Sequence, residues 1–153
     1  MRITVASLLL LSALSTGEAA QQPDPPQPEA ILETGELMVM VIRPAYVELQ
    51  QMMAKSPADR PQWALLYQKA ARLAEFENLI LFRPHERAAT PEWKGLAASA
   101  RRTTAALAAA VLSGLQSPQA EDFAKVRKNY ESIAGSCNAC HRTMSREAPV
   151  IKP

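Results

Sequence analysis

The sequence predicts an all-α domain, an antiparallel up-down-up-down four-helix bundle, and three observations support this fold class. Apolar residues recur at three- and four-residue intervals over four long segments, which is the pattern of amphipathic helices. Ser-Pro and Thr-Pro pairs separate these segments, and no strand-like alternation occurs between them. Short connections between long helices favour antiparallel neighbours. The chain has 153 residues, the size of one domain, so the helices are expected to share one core.

The first 28 residues are expected to lie outside the bundle. Residues 1–20 start with a basic Arg2 and a short apolar run from Ile3 to Leu14, the layout of a cleavable secretory signal peptide. That run is too short to span a bilayer, so no membrane span is expected. Residues 21–28 contain four prolines and are predicted to form an extended linker.

The bundle itself is expected within residues 29–145, and a polar tail is expected at 146–153. The first helix should be kinked at Pro44, because proline has no N–H to donate to the carbonyl four residues earlier. Hydroxyl side chains that directly precede a proline are expected to cap helix starts. These are Ser56, Thr90 and Ser117. The four predicted helices are, in order, 29–54, 61–82, 91–115 and 118–145.

Charge and composition exclude several classes of function. The chain has 17 basic and 15 acidic residues, and its net charge of +2 is too small to indicate nucleic-acid binding. Five glycines argue against a glycine-rich phosphate-binding scaffold, and two cysteines are too few for a four-thiolate metal site. The acidic and histidine side chains form no hydrolase or transferase pattern, so an enzyme is not expected.

The chemically informative residues are concentrated at Cys137, Cys140 and His141, which form the sequence C-x-x-C-H. This sequence is the attachment signal of a c-type haem. Positions i, i+3 and i+4 share one face of a helix, so two thiols can bond to two vinyl groups of one porphyrin while the imidazole reaches its iron. We therefore predict one covalently bound haem c, with His141 as the proximal iron ligand. The signal peptide agrees, because c-type haem is attached outside the bacterial cytoplasm, and we expect a periplasmic protein.

Two other interpretations of the same residues remain open. Cys137 and Cys140 have the spacing of a thiol–disulfide redox pair, but such pairs normally open a helix, whereas this pair is predicted near the end of one. A zinc site would need a fourth strong ligand besides the two cysteines and one histidine.

A signal peptide followed by four helices, with C-x-x-C-H near the end of the last, resembles the class II c-type cytochromes, the cytochrome c′ group. The resemblance covers residues 29–145. In that group the motif continues as C-x-x-C-H-x-x-Tyr-Arg, whereas this chain has Met144 and Ser145 at those places and Arg146 one position later. The role of the family's basic residue beside the proximal histidine is therefore not carried over. The resemblance implies redox partner proteins and, by analogy, a homodimer.

Helical phase and the resemblance together single out Met38 as the sixth iron ligand. If the helices alternate in direction, Met38 and His141 lie towards the same end of the bundle, whereas Met52 and Met53 lie about 20 Å further along. Met40 is rotated by about 200° from Met38 and should point elsewhere. In the family the distal residue is Met in six-coordinate electron carriers and apolar in five-coordinate, gas-binding members. We therefore predict a soluble electron carrier; the alternative is a five-coordinate protein that binds nitric oxide or carbon monoxide.

The loop between the second and third helices is expected at the haem end of the bundle. Arg83 or Arg87 is predicted to pair with a haem propionate through charge-assisted hydrogen bonds. His85 is expected to be solvated rather than bound to iron. Phe82 and Trp93 flank the loop and are further expected neighbours of the haem.

Overall fold

The computed structural model describes residues 29–83, 90–117 and 122–153. Every regular element in these ranges is helical, which confirms the all-α prediction. Four helices pack together: α1 over 34–52, α2 over Arg60–Leu81, α3 over Pro91–Gln116 and α4 over Asp122–Met144. None of the described helices has the length and apolar character needed to cross a membrane. The signal peptide and linker predicted at 1–28 lie outside the described residues.

Helix α1 begins later than the sequence predicts. Its first helical residue is Thr34, and the backbone N–H of Glu33 donates to Glu36 Oε2 at 2.9 Å, as in a capping box. Residues 29–33 are therefore not helical, and the predicted start at 29 is wrong. Ile31 lies within the range predicted for this helix, but it precedes the helix and is 94% exposed.

Three segments make up α1, and the middle one is irregular. An α-helical turn, Thr34–Leu37, is followed by a π-helical segment, Met38–Ile42, and then by an α-helix, Arg43–Met52. Pro44 lies in the first turn of the last segment, and the N–H of Arg43 donates to the carbonyl of Met38, five residues earlier. The irregularity predicted at Pro44 thus takes the form of a widened helical turn just before it.

Side-chain caps define the starts of α2 and α3. Asp59 and Thr90 each accept the backbone N–H three residues further on, at 2.9 and 3.2 Å. The cap predicted at Thr90 is confirmed. The cap predicted at Ser56 is wrong, because Asp59 supplies the acceptor and α2 begins directly after it. The helix start predicted after Ser117 lies at 118–121, outside the described residues.

The core lies where the inner stripes of the four helices meet. One leucine or isoleucine from each helix is completely buried: Leu49, Leu66, Leu107 and Ile133. These positions follow the three- and four-residue spacing that predicted the helices. Burial of such side chains is the main favourable contribution to the stability of the fold.

Two aromatic contacts join neighbouring helices closely. Gly114 of α3 faces the ring of Trp63 of α2, and a Cβ atom built on this glycine would lie 2.5 Å from Trp63 Cζ3. A side chain is therefore excluded at Gly114 unless the indole moves. Tyr46 of α1 stacks on Tyr130 of α4 with ring centroids 5.6 Å apart.

Candidate cofactor site

A cavity of about 370 Å³ opens between α1, α2, α4 and the residues after α4. Its volume lies within the range of small-molecule and cofactor sites. Met38 and Ile42 border it from α1, and Cys137 and His141 border it from α4. The residues after α4 contribute Pro149 and others, so the predicted polar tail forms one wall of the cavity.

A smaller cavity of about 30 Å³ continues the same region towards α3. Met38, Cys137 and His141 line it as well, and Cys140 completes the set of residues from the C-x-x-C-H sequence. The structure therefore brings together four residues that the sequence singled out on two helices separated by about one hundred positions. Ala97 and Ala100 of α3 also line this cavity.

The methionines of α1 differ in the direction they face. Met38 is half-buried and lines both cavities, whereas Met40 is 63% exposed, in keeping with their different helical phase. Met53 is buried in the core and lines a separate cavity with Tyr130. Of these three residues, Met38 is the one that lines both cavities together with His141.

The imidazole of His141 is held by a backbone carbonyl. Its Nδ1 atom lies 2.9 Å from the carbonyl oxygen of Pro149, in the segment that follows α4. A carbonyl oxygen only accepts hydrogen bonds, so Nδ1 is the protonated nitrogen in this arrangement, and Nε2 is the nitrogen available to a metal.

The two cysteines are free thiols in an environment that disfavours the thiolate. Burial raises the pKa of Cys137 to about 12, and the nearby carboxyl group of Glu77 adds to this effect. Burial also raises the pKa of Cys140, again with a contribution from Glu77. Catalytic thiols show the opposite behaviour, since a helix N-terminus or a cation lowers their pKa. The pair also lies far along α4 from its first residue, Asp122, which is the wrong end for thiol–disulfide chemistry.

Glu77 is a residue of the site that the sequence analysis did not single out. It lies on α2, is 1% exposed, lines both cavities, and its Oε2 atom is buried without a hydrogen-bond partner in the described part of the chain. Burial raises the pKa of this carboxyl to about 7. A signal was present in the sequence, because Glu77 continues the apolar stripe formed by Leu66, Leu73 and Ile80.

Three of the residues predicted around the loop between α2 and α3 are described, and none of them lines either cavity. The guanidinium of Arg83 donates to the carbonyl oxygen of Leu32, and Arg83 is not among the residues that line either cavity. Phe82 is exposed and Trp93 is buried in the core. The predictions for His85 and Arg87 concern residues outside the described ranges.

The described ranges contain no group of three or more His, Cys, Asp or Glu side chains that could hold a metal ion. A zinc site built on Cys137, Cys140 and His141 would need their donor atoms to converge in this way. A haem needs fewer ligands from the protein, because its porphyrin supplies four of the iron ligands and the protein supplies only the axial ones.

Comparison with protein-family models, curated proteins and solved structures finds no match to this chain. Its function must therefore be inferred from the residues at the cavity. These are the C-x-x-C-H sequence on α4, the thioether of Met38 on α1 and the buried carboxyl of Glu77 on α2.

Proposed function

We propose that the protein is a monohaem c-type cytochrome that acts as a soluble periplasmic electron carrier. The observation that carries this proposal is the position of Cys137, Cys140 and His141 on one helix, beside a cavity that Met38 borders from another. Each thiol would add across one vinyl double bond of the porphyrin, forming a carbon–sulfur bond and transferring its hydrogen to the other vinyl carbon. This addition consumes no oxidant, and the free state of both thiols suits it.

The residues at the cavity have the chemistry that a haem requires. Apolar walls from Ile42 and Leu73 suit a porphyrin ring, the Nε2 atom of His141 suits the proximal position, and the thioether of Met38 is a soft distal ligand. When bound, the haem supplies one-electron chemistry between ferric and ferrous iron, and thioether ligation raises the reduction potential. The role of this chain is to hold both axial donors in place so that little rearrangement accompanies electron transfer.

The antiparallel up-down-up-down order of the helices belongs to the same proposal. It is supported by a contact that pairs the start of α2 with the end of α3. Trp63 near the start of α2 meets Gly114 near the end of α3.

We propose that the chain belongs with the class II c-type cytochromes, which it resembles in the order of its elements and the position of C-x-x-C-H. Its partners would then be other redox proteins, met through a small transient interface, and a second copy of the chain. After the motif the chain differs from that group. The helix ends at Met144, and Arg146 follows it as an exposed residue.

Mass spectrometry tests the attachment of the haem. The mature protein, expressed with the machinery for c-type haem maturation, should carry about 616 Da of added mass that denaturation does not remove. Replacing both Cys137 and Cys140 with alanine should abolish the addition. A mature protein with no added mass would contradict the proposed function.

Visible spectroscopy tests the distal ligand and the alternative of gas binding. The ferric protein should be low-spin with a weak sulfur-to-iron band towards the red, and Met38→Ala should make it high-spin. Met40→Ala is the matched control, because the side chain of Met40 is exposed two residues away. A low-spin spectrum that persists in Met38→Ala would exclude Met38 as ligand. A high-spin wild-type protein that binds carbon monoxide would instead favour the five-coordinate, gas-binding function.

A further inference from the structure

The residues that follow α4 turn back against the helices and contact the candidate site. We call residues 149–153 the strap. Its first residue, Pro149, presents its carbonyl oxygen to His141 Nδ1 at 2.9 Å, and Pro149 and Ile151 line the larger cavity. The strap is thus in contact with the predicted proximal ligand and with the space beside it.

The strap is anchored independently of His141. The side-chain amide of Asn138 donates to the carbonyl oxygen of Ile151 and accepts the N–H of Ile151, each at 2.8 Å. The hydroxyl of Tyr46 donates to the carbonyl oxygen of Lys152, also at 2.8 Å. Asn138 makes two of these three hydrogen bonds, and it makes them at Ile151, the anchored residue nearer to Pro149. Asn138 is therefore the anchor whose loss should free the Pro149 carbonyl.

Asn138 lies in a position that couples this anchor to the haem-attachment sequence. It occupies the first variable position of C-x-x-C-H, between Cys137 and Cys140, and stands three residues before His141 on α4. Residues three apart share a helix face, so the amide that fixes the strap lies on the same side of α4 as the imidazole that the strap contacts.

We infer that the strap is the positioning element for His141: it selects the tautomer with the proton on Nδ1 and fixes the orientation of the ring, so that Nε2 is directed to the iron. This inference rests on the proposed function. Histidine ligands in metal sites generally donate their other N–H to a carbonyl or carboxylate, which fixes the ring and strengthens the imidazole as a donor. Here the backbone carbonyl of Pro149 accepts this hydrogen bond.

The strap should influence the reduction potential. Because donation from Nδ1–H to the Pro149 carbonyl makes the imidazole a stronger donor, it favours ferric over ferrous iron. Releasing the strap should shift the equilibrium about tenfold towards the ferrous form, which is a rise in potential of about 59 mV for one electron.

The test compares two asparagine variants of the haem-loaded protein. Asn138→Ala removes both hydrogen bonds to Ile151 and leaves the C-x-x-C-H sequence intact. Asn129→Ala is the matched control, because Asn129 lies on the same helix and, within the described ranges, its side chain donates to the carbonyl of Lys125 at 2.9 Å and does not contact the strap. By spectroelectrochemistry, Asn138→Ala should show the tenfold shift and Asn129→Ala the wild-type potential. An unchanged or lower potential in Asn138→Ala would overturn the inference.

A second measurement needs no variant. In the ferrous wild-type protein, the Nδ1 proton of His141 should exchange slowly with solvent in nuclear magnetic resonance spectra, because the Pro149 carbonyl accepts it. Rapid exchange, with the signal of a free imidazole N–H, would overturn the inference even if Asn138→Ala fails to fold. A protein that carries no haem mass refutes the proposed function, whereas a loaded protein with an unprotected His141 refutes only the role of the strap.

Discussion

Replacing Glu77 with glutamine is expected to remove one pH dependence from the stability of the protein. The side chain is 1% exposed, and burial raises its pKa from an ordinary value of 4.5 to about 7. Between these two pH values the unfolded chain releases the proton while the folded protein retains it. The free energy of unfolding therefore falls as the pH rises through this interval, and this contribution becomes constant above about pH 7.

The size of the effect follows from the two pKa values. The difference between 4.5 and about 7 corresponds to about 3 kcal/mol, because a tenfold change in proton affinity is worth about 1.4 kcal/mol. Glutamine has nearly the same volume and does not ionise. Above pH 7 the free energy of unfolding of Glu77→Gln should exceed that of the wild type by up to about 3 kcal/mol. Below pH 4.5 the two proteins should be similar, since the carboxyl is then neutral in both states.

Urea unfolding followed by circular dichroism at several pH values between about 4.5 and 8 measures this difference. Glu75→Gln is the matched control, because Glu75 lies two residues earlier on α2 with an exposed side chain. Its profile should run parallel to that of the wild type. If Glu77→Gln shows the same fall in stability with rising pH as the wild type, the carboxyl does not titrate as a buried group, and the reasoning is refuted.

Three further predictions concern the free energy of unfolding measured by the same method. Gly114→Ala should destabilise the protein by about 1–3 kcal/mol, because the new methyl group meets the indole of Trp63. Gly95→Ala on the same helix has open space at its Cβ position and should stabilise the protein by about 0.5–1 kcal/mol. Equal effects of the two substitutions would contradict the close approach of Gly114 to Trp63. Leu107→Ala should cost about 2–5 kcal/mol, because its side chain is fully buried, and a loss below 1 kcal/mol would contradict that burial. Asp59→Ala should cost about 1 kcal/mol through loss of the cap of α2, and an unchanged stability would show that another group caps the helix.

Local sequence signals predicted most of the helices. Thr90 and Pro91 mark the start of α3 correctly, because a capping hydroxyl and a proline in the first turn act within a few residues. The start of α1 was predicted five residues too early, since an apolar residue at Ile31 fits the helical period but is not enclosed by any neighbour. Periodicity alone does not reveal whether a partner surface exists.

In the candidate site, as in the helices, the sequence predicted features formed by residues close together in the chain better than contacts between helices. Cys137, Cys140 and His141 are recognisable from their spacing, because the proposed haem attachment would require them on one turn of a helix. Glu77 occupies a position on the apolar stripe of α2, so the sequence contained a signal for its burial, although not for the cavity that it faces.

The amino-acid sequence by itself determined the helical class of the protein and the starts of two of its helices to within a residue. It also determined which residues are expected to bind haem. All of these depend on interactions between near neighbours in the chain. Met38 was expected beside His141 from its helical phase and the resemblance, and it lines the same cavity. Only the tertiary structure decided that Glu77 faces the C-x-x-C-H sequence and that Pro149 contacts His141. Such contacts depend on how helices pack, and on a carbonyl group that every residue possesses, so no pattern of side chains along the chain marks them in advance.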